Sequence, residues 1–354
     1  MLKATLALLA TLLLAGCANI AYYAQAVGGH LELLHSAQPI PQIIQDPETD
    51  PGLRRKLRLV ADIREFASRE LALPDDGSYR KYADLGRPYV VWNVFAAKEF
   101  SVDMESWCLL VVGCVNYRGY YSREAADRYA LKLKEQGLET YVASIPAYST
   151  LGFFDDPVLN TFLRFGEQEV ARTLFHELAH HVVFVRGDST FNESFATAVE
   201  NEGMRRWLAR QGDPERFRAF QAWQRRKAGF QGLVTEYRNR LRDIYARPWP
   251  NEDKRRAKEE TLAELRRAYA DLKADWGVRS GYDFFFEADL NNAKLGSVSL
   301  YTRLVPAFEA LLDQVGHDLP TFYRRVTALS RMDKEERQAT LNALLENASR
   351  TRNT

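Results

Sequence analysis

Neither sign of charge is in excess in this 354-residue chain, which carries 48 Lys and Arg against 47 Asp and Glu. A formal charge of +1 gives no electrostatic case for nucleic acid as a partner. Long hydrophobic runs are missing beyond the first seventeen residues, so no later segment approaches the length of a membrane span and the rest is expected to be soluble. Low-complexity linkers are missing as well, which predicts one compact unit with subdomains. Histidine is scarce, with six in all. That scarcity gives weight to the three that cluster in one short run.

The run is Leu174-Phe175-His176-Glu177-Leu178-Ala179-His180-His181. With six histidines in the chain, His-Glu-x-x-His arises by chance in on the order of one chain in a hundred. Residues four apart sit one turn apart on a helix face, so His176 and His180 can grip one metal while Glu177 reaches a water on it. The motif interrupts the apolar positions Val170, Ala171, Leu174, Phe175, Leu178, Val182 and Val183, which read as a buried helix. Buried and unpaired, two histidines and a carboxylate would be costly, and a metal compensates them. His181 points about 100° from His180 and reads as supporting or structural.

A tetrahedral catalytic zinc wants three protein ligands and an open position. After the polar break Arg186 to Thr190 the chain continues Phe191-Asn192-Glu193-Ser194-Phe195-Ala196-Thr197-Ala198-Val199-Glu200. Asn192 reads as a helix N-cap, and Phe195, Val199 and Trp207 form an apolar stripe, so the motif helix is expected to turn back as a helical hairpin. Glu193 and Glu200 lie two turns apart on one face, and spacing does not choose between them.

The segment resembles the Asn-Glu-Gly-Phe-Ala stretch that carries the glutamate ligand of aminopeptidase N-type gluzincins. That resemblance implies Glu193 as the third ligand and Glu200, with Asn192, in a supporting role. The connection from His180 is shorter than in those enzymes. Over most of the mature chain the sequence is similar to a family of bacterial lipoproteins described as predicted zinc aminopeptidases. The similarity is carried by Gly113 to Tyr120, Ala147-Tyr148-Ser149-Thr150-Leu151-Gly152, the zinc motif and Asn291-Asn292-Ala293. It implies an α+β, mainly helical fold: a zincin-like metallopeptidase with a small sheet preceding the motif helix and a helical C-terminal part.

Residues 1–16 read as a processing signal, with Lys3 as a basic start and an apolar stretch from Leu6 to Leu14. Leu14-Ala15-Gly16-Cys17 resembles the lipobox cut before its cysteine, so Cys17 is expected to carry acyl chains. Ala18 in place of an aspartate resembles sorting to a Gram-negative outer membrane, facing the periplasm. Removing Lys3 and no acid takes the formal charge from +1 to 0. The remaining pair, Cys108 and Cys114, reads as a local disulfide in an oxidising compartment, worth about 2 to 3 kcal/mol.

The mature chain, 17–354, divides on pattern into an N-terminal α/β subdomain (17–155), the zinc-site hairpin (156–211), a helical arm (212–276) and a helical C-terminal part (277–354). Leu53 to Leu71 predicts a helix, Tyr89 to Phe95 and Leu109 to Val115 strands, Ser122 a cap for a helix to Gln136, and Glu139 to Ile145 a third strand. The stretch Tyr141 to Tyr148, ending near Pro146, is an edge-strand candidate for holding an extended peptide, with Ala147 and Tyr148 as contacts; a buried strand without that role is the other reading. Asp213-Pro214 opens one arm helix toward Ala246 and Asn251 caps another toward Trp276. Leu262, Leu265, Tyr269, Leu272 and Trp276 give the latter an apolar stripe, and its charged face reads as solvated surface or as a partner-binding arm.

The expected chemistry is peptide hydrolysis with one Zn²⁺ on His176, His180 and Glu193 and with Glu177 moving the proton. Tyr301, Tyr282 and Tyr148 are the candidates for a donor to the oxyanion, Tyr301 first. Asn291 and Asn292 are candidates for binding the peptide backbone or its amino terminus, or else ordinary turn and cap residues. The partners expected are a peptide substrate and, through Cys17, a membrane. A periplasmic endopeptidase and a non-enzymatic lipoprotein scaffold are the rival readings.

Overall fold

A computed structural model describes residues 22–109, 112–147, 149–277, 281–287, 289–299 and 304–352. In chain order the elements are α1 (22–36), β1 (Gln38–Pro39), α2 (Ile40–Gln45), α3 (Pro51–Leu71), β2 (Lys81–Ala83), β3 (Val91–Lys98), β4 (Trp107–Leu109), β5 (Gly113–Val115), β6 (Arg118–Tyr120), α4 (Arg123–Glu135), β7 (Leu138–Ile145), β8 (Val158–Leu159) and α5 (Asn160–Leu163). The second half is helical: α6 (Glu167–Val182), α7 (Ser189–Gln211), α8 (Pro214–Ala246), α9 (Asn251–Trp276), α10 (Asp283–Glu287), α11 (Asn292–Ser299), α12 (Val305–Gln314), α13 (Leu319–Ser330) and α14 (Lys334–Arg352). The class is α+β and mainly helical, with small sheets ahead of the motif helix. No helix among the described residues is long and apolar enough to cross a membrane.

β3 is the centre of an antiparallel sheet ordered β6-β3-β7 and is buried on both faces. Alternation sends Trp92, Val94 and Ala96 toward the Ala126, Ala130 and Leu133 face of α4. It sends Phe95 and Ala97 to the other side, against Tyr117, Tyr141 and Ala293. Ser122 caps α4 through the amide of Ala125, as its sequence predicts. β7 is an edge strand paired with β3. At its end the hydroxyl of Thr161 donates to the carbonyl of Pro146.

The expected strand from Leu109 to Val115 is instead a two-strand hairpin, β4 and β5, with Cys108 opposite Cys114 and a disulfide joining them. Gly113 breaks the run because it takes φ +78°, a conformation branched residues avoid. A side chain there would also meet the backbone nitrogen of Gly187 at 2.9 Å. This close approach seats the hairpin on the turn between α6 and α7, where the Gly187 amide donates to the carbonyl of Val112.

The largest core cluster joins α3, α6, α7, α12 and α13 around Phe66, Phe175, Phe195, Trp207 and Phe308. Each such side chain contributes about 1.5 to 3 kcal/mol on burial. The helical arm α8–α9 builds a second cluster with α10 and α11 from Phe230, Val234, Leu265, Phe285 and Leu295. Pro250, not Asn251, stands at the N-cap of α9, and no side chain caps that end. The charged face of α9 is more than solvated surface: Arg255 pairs with Glu99, and Lys258 with Glu139, tying the arm to the Lys98–Leu138 end of the β3–β7 pairing.

Candidate active site

α6 begins with Glu167 and Glu169 in its first turn, where carboxylates suit the positive helix end, and buries Val170, Ala171, Leu174, Phe175 and Leu178. That places His176, Glu177 and His180 along the wall of a cavity of about 610 Å³. The chain then reverses into α7, whose N-cap is Asp188 and not Asn192. Asn192 lies inside the helix, and its amide side chain both accepts from and donates to the backbone of Val185, at 2.7 and 2.8 Å. This latch fixes the turn between the two helices. The capping role passed to the earlier Asp188, which Arg337 also holds at 2.8 Å.

With the turn fixed, Glu193 and Glu200 approach the two nitrogens of one imidazole. His176 Nε2 is 3.2 Å from Glu193 Oε2, and its Nδ1 is 3.1 Å from Glu200 Oε2. His180 Nε2 lies 3.8 Å from the other Glu193 oxygen. Donor atoms of His176, His180 and Glu193 all fall within 4.8 Å of one another. Donors about 2.0 to 2.2 Å from a tetrahedral zinc stand somewhat over 3 Å apart, so this set is close to a zinc-binding arrangement.

The electrostatics point the same way. Glu200 is buried, yet Arg172 at 2.7 Å and Lys227 at 3.7 Å hold its carboxyl far below the usual range against the opposing effect of burial. Burial alone would lower the His176 pKa, but hydrogen bonds to Glu193 and Glu200 raise it to about 10. Burial lowers that of His180 to about 4 and raises that of Glu177 to about 7. His180 Nδ1 is buried without a hydrogen-bond partner among the described residues. Arg172 and Lys227 are engaged by Glu200, which leaves Glu177 and Glu193 without a fixed cation among the described residues. Two imidazoles and a carboxylate suit zinc.

His181 stands apart from His176, His180 and Glu193, the set that could hold a metal. It lies between Asp76, with Nδ1 to Oδ2 at 2.9 Å, and Ser149, with Nε2 to Oγ at 3.0 Å. Asp156, its carboxyl raised by burial to about 6, accepts the Thr150 amide in the same network. These contacts pin the segment 149–156 to α6, so Ser149 and Leu151 line the cavity.

The remaining candidates divide. Ala147 lines the cavity, while Cys17, Tyr148 and Tyr301 lie outside the described residues. Tyr282 stacks on Phe230 at 4.1 Å in a separate cavity bordered by Trp223, Arg226 and Lys227. Asn291 and Asn292 are absent from the lining. Asn291 donates to the carbonyl of Thr140, and Asn292 is buried, donating to the carbonyls of Lys98 and Glu99 and accepting from the hydroxyl of Tyr245. Both therefore serve the joint between sheet and arm, the ordinary role of a buried amide.

Tyr117 was not singled out by its sequence context. It lines the cavity, and burial together with the nearby charges of Glu193 and Glu177 raises its phenol pKa. It stays protonated at neutral pH and can donate. Its only signal in the sequence is its place within the run from Gly113 to Tyr120. Arg172 and Lys227 were missed as well, because nothing in their spacing ties them to Glu200.

The sequence profile of a family described as "Putative aminopeptidase" matches residues 21–341. No curated protein and no solved structure matches the chain.

Proposed function

The chain belongs to the aminopeptidase family whose profile matches it, and from that premise we propose a zinc-dependent peptidase of zincin-like fold and gluzincin type. The observation that carries the reading is the convergence of His176, His180 and Glu193 beside Glu177 in one cavity. A zinc ion held by those three side chains would supply Lewis acidity toward a water and the scissile carbonyl. Glu177, with a pKa near 7, suits a group that accepts the water proton and returns it to the leaving amine. Tyr117 donates its hydroxyl hydrogen to the oxygen on which charge develops. Glu200 accepts from His176 Nδ1 and so presents Nε2 for coordination.

The peptide would lie along the outer edge of β7, reaching Ala147, with its side chain among Val91, Val115, Ile145 and Leu151. In this reading the unit spans 17–354, acylated Cys17 anchors it at the outer membrane, and the substrate is a periplasmic peptide. Zinc-loaded protein is tested on a peptide library read by mass spectrometry. Successive loss of N-terminal residues is the expected pattern. Internal cuts, or cleavage of N-acetylated peptides, would replace it with an endopeptidase. No turnover with zinc fully bound would leave a scaffold. Glu177→Gln is expected to keep its zinc and to lose about 10²- to 10⁴-fold in rate. A Glu177→Gln protein as fast as the parent refutes the proton-transfer role.

A further inference from the structure

We propose that Val27, Leu31, Phe153 and Phe154 form a patch that seats the protein on a bilayer surface. The inference rests on the reading of Cys17 as an acylated anchor. These four side chains are 58, 48, 69 and 52% exposed. Val27 and Leu31 lie one turn apart on α1, whose opposite side buries Leu33 in the core. His30, between them on the helix, places its ring 4.8 Å from that of Phe154. Phe153 and Phe154 stand out because Leu151 and Gly152 take consecutive left-handed conformations, φ +60° and +79°. The chain reverses there, with Leu151 turned into the cavity and the phenylalanines into solvent.

Reach identifies the occupant. Five peptide steps separate Cys17 from Tyr22, and at about 3.3 to 3.6 Å each they span at most about 18 Å. Val27 is a further turn and a half along α1, at about 1.5 Å per residue. An anchored cysteine therefore holds this face within reach of the headgroups, and an apolar helix face sinks about 5 to 10 Å into that zone. The neighbouring charges Glu32 and Asp155 are exposed and acidic, so attraction to anionic lipid is not the driving force. Tyr22, Ala26 and Leu151 also line the catalytic cavity. Docking here holds the cavity wall at the membrane, which suits peptides carrying apolar residues.

The test uses the full acylated chain reconstituted in zwitterionic phosphatidylcholine vesicles. An environment-sensitive fluorophore is placed on Val27→Cys or, as a control at the tip of the arm, on Trp249→Cys. The Val27 label is expected to shift to the blue and to be quenched by brominated lipid, unchanged by high salt, while the Trp249 label does neither. Adding Phe153→Ser and Phe154→Ser is expected to reverse most of the shift. If the N-terminal peptide proves acylated and the two labels behave alike, the docking surface is refuted while the anchor stands. An N-terminal peptide without acyl chains overturns the anchor and the choice of a bilayer with it.

Discussion

Replacing Glu200 with glutamine tests the electrostatic account of the site most directly. The carboxylate accepts on both oxygens: Oε1 faces Arg172 at 2.7 Å and Lys227 at 3.7 Å, and Oε2 faces His176 Nδ1 at 3.1 Å. An amide keeps one acceptor and turns the other edge into a donor, so one of these partners meets an N–H instead of an oxygen. Arg172 and Lys227 are also left without their buried counter-charge. Breaking a buried pair in this way costs about 3 to 5 kcal/mol. The lower figure applies because Lys227 is one-fifth exposed, and it predicts a melting temperature lower by roughly 5 °C or more. Losing the acceptor that orients His176 predicts zinc affinity weaker by about 10- to 100-fold. Because the folded pKa of Glu200 is depressed, its contribution is present above the ordinary carboxylate range and is lost only as pH falls through the lower folded value. The deficit of Glu200→Gln therefore holds from about pH 5 to 8 and shrinks in strong acid. Chelator competition and thermal melts of metal-free protein measure the two effects. A variant that binds zinc within about twofold of the parent and melts within about 1 °C of it refutes the reasoning.

Three further outcomes are expected. The His176 pKa of about 10 means that zinc displaces a proton at neutral pH; calorimetry in buffers of differing ionisation heat should count about one proton released, with affinity rising about tenfold per pH unit between 7 and 9. In the metal-free protein the same raised pKa stabilises the fold below about pH 6.5 and ceases to as pH rises through about 10; zero proton release contradicts the assignment. Tyr117→Phe should keep its zinc and its KM and lower kcat by about 10²-fold or more, and an unchanged kcat removes Tyr117 from the chemistry. Gly203→Ala places a methyl 2.7 Å from Phe175 Cδ2 and 2.8 Å from Leu71 Cδ1; crowding of about 1 to 3 kcal/mol, partly offset by about 1 kcal/mol of helix propensity, predicts a lower melting temperature, and a rise contradicts the close packing of α3, α6 and α7.

Local periodicity made α6 legible, since its buried positions and the face that carries His176, Glu177 and His180 alternate within a single helix. The same kind of signal misled at the start of α7, where Asp188 and Asn192 are both capping residue types one turn apart. The choice fell to Asp188 because Asn192 is needed by the backbone of Val185, a contact no local pattern records. Leu109 to Val115 carried strand composition throughout, and only the backbone geometry of Gly113 divides it. Glu193 and Glu200 could not be separated by spacing, and in the fold both approach His176, one at each nitrogen. Tyr117, Arg172 and Lys227 reach the site from β5–β6, α6 and α8. With 17 tyrosines in the chain, no sequence rule selects one that tertiary packing alone brings to the cavity.

Charge balance connects these residues into one argument. Glu177, Glu193 and Glu200 bring three carboxylates, and the two fixed cations, Arg172 and Lys227, are shared with Glu169, so neutral imidazoles leave the buried site short of positive charge. A proton on His176, hydrogen-bonded to Glu193 and Glu200, supplies part of that charge and accounts for its raised pKa, while burial lowers that of the neighbouring His180. A divalent cation held by the same donors would supply more and make the proton unnecessary, leaving Nε2 free to coordinate. Glu200, held by Arg172 and Lys227, would then accept from His176 Nδ1 without competing for the ion. Because Glu200 meets Nδ1, on the far side of the ring from Nε2 and Glu193, it would leave open the coordination position that hydrolysis needs. A Glu200 held by Arg172 and Lys227 behind His176 would thus suit a catalytic rather than a structural metal.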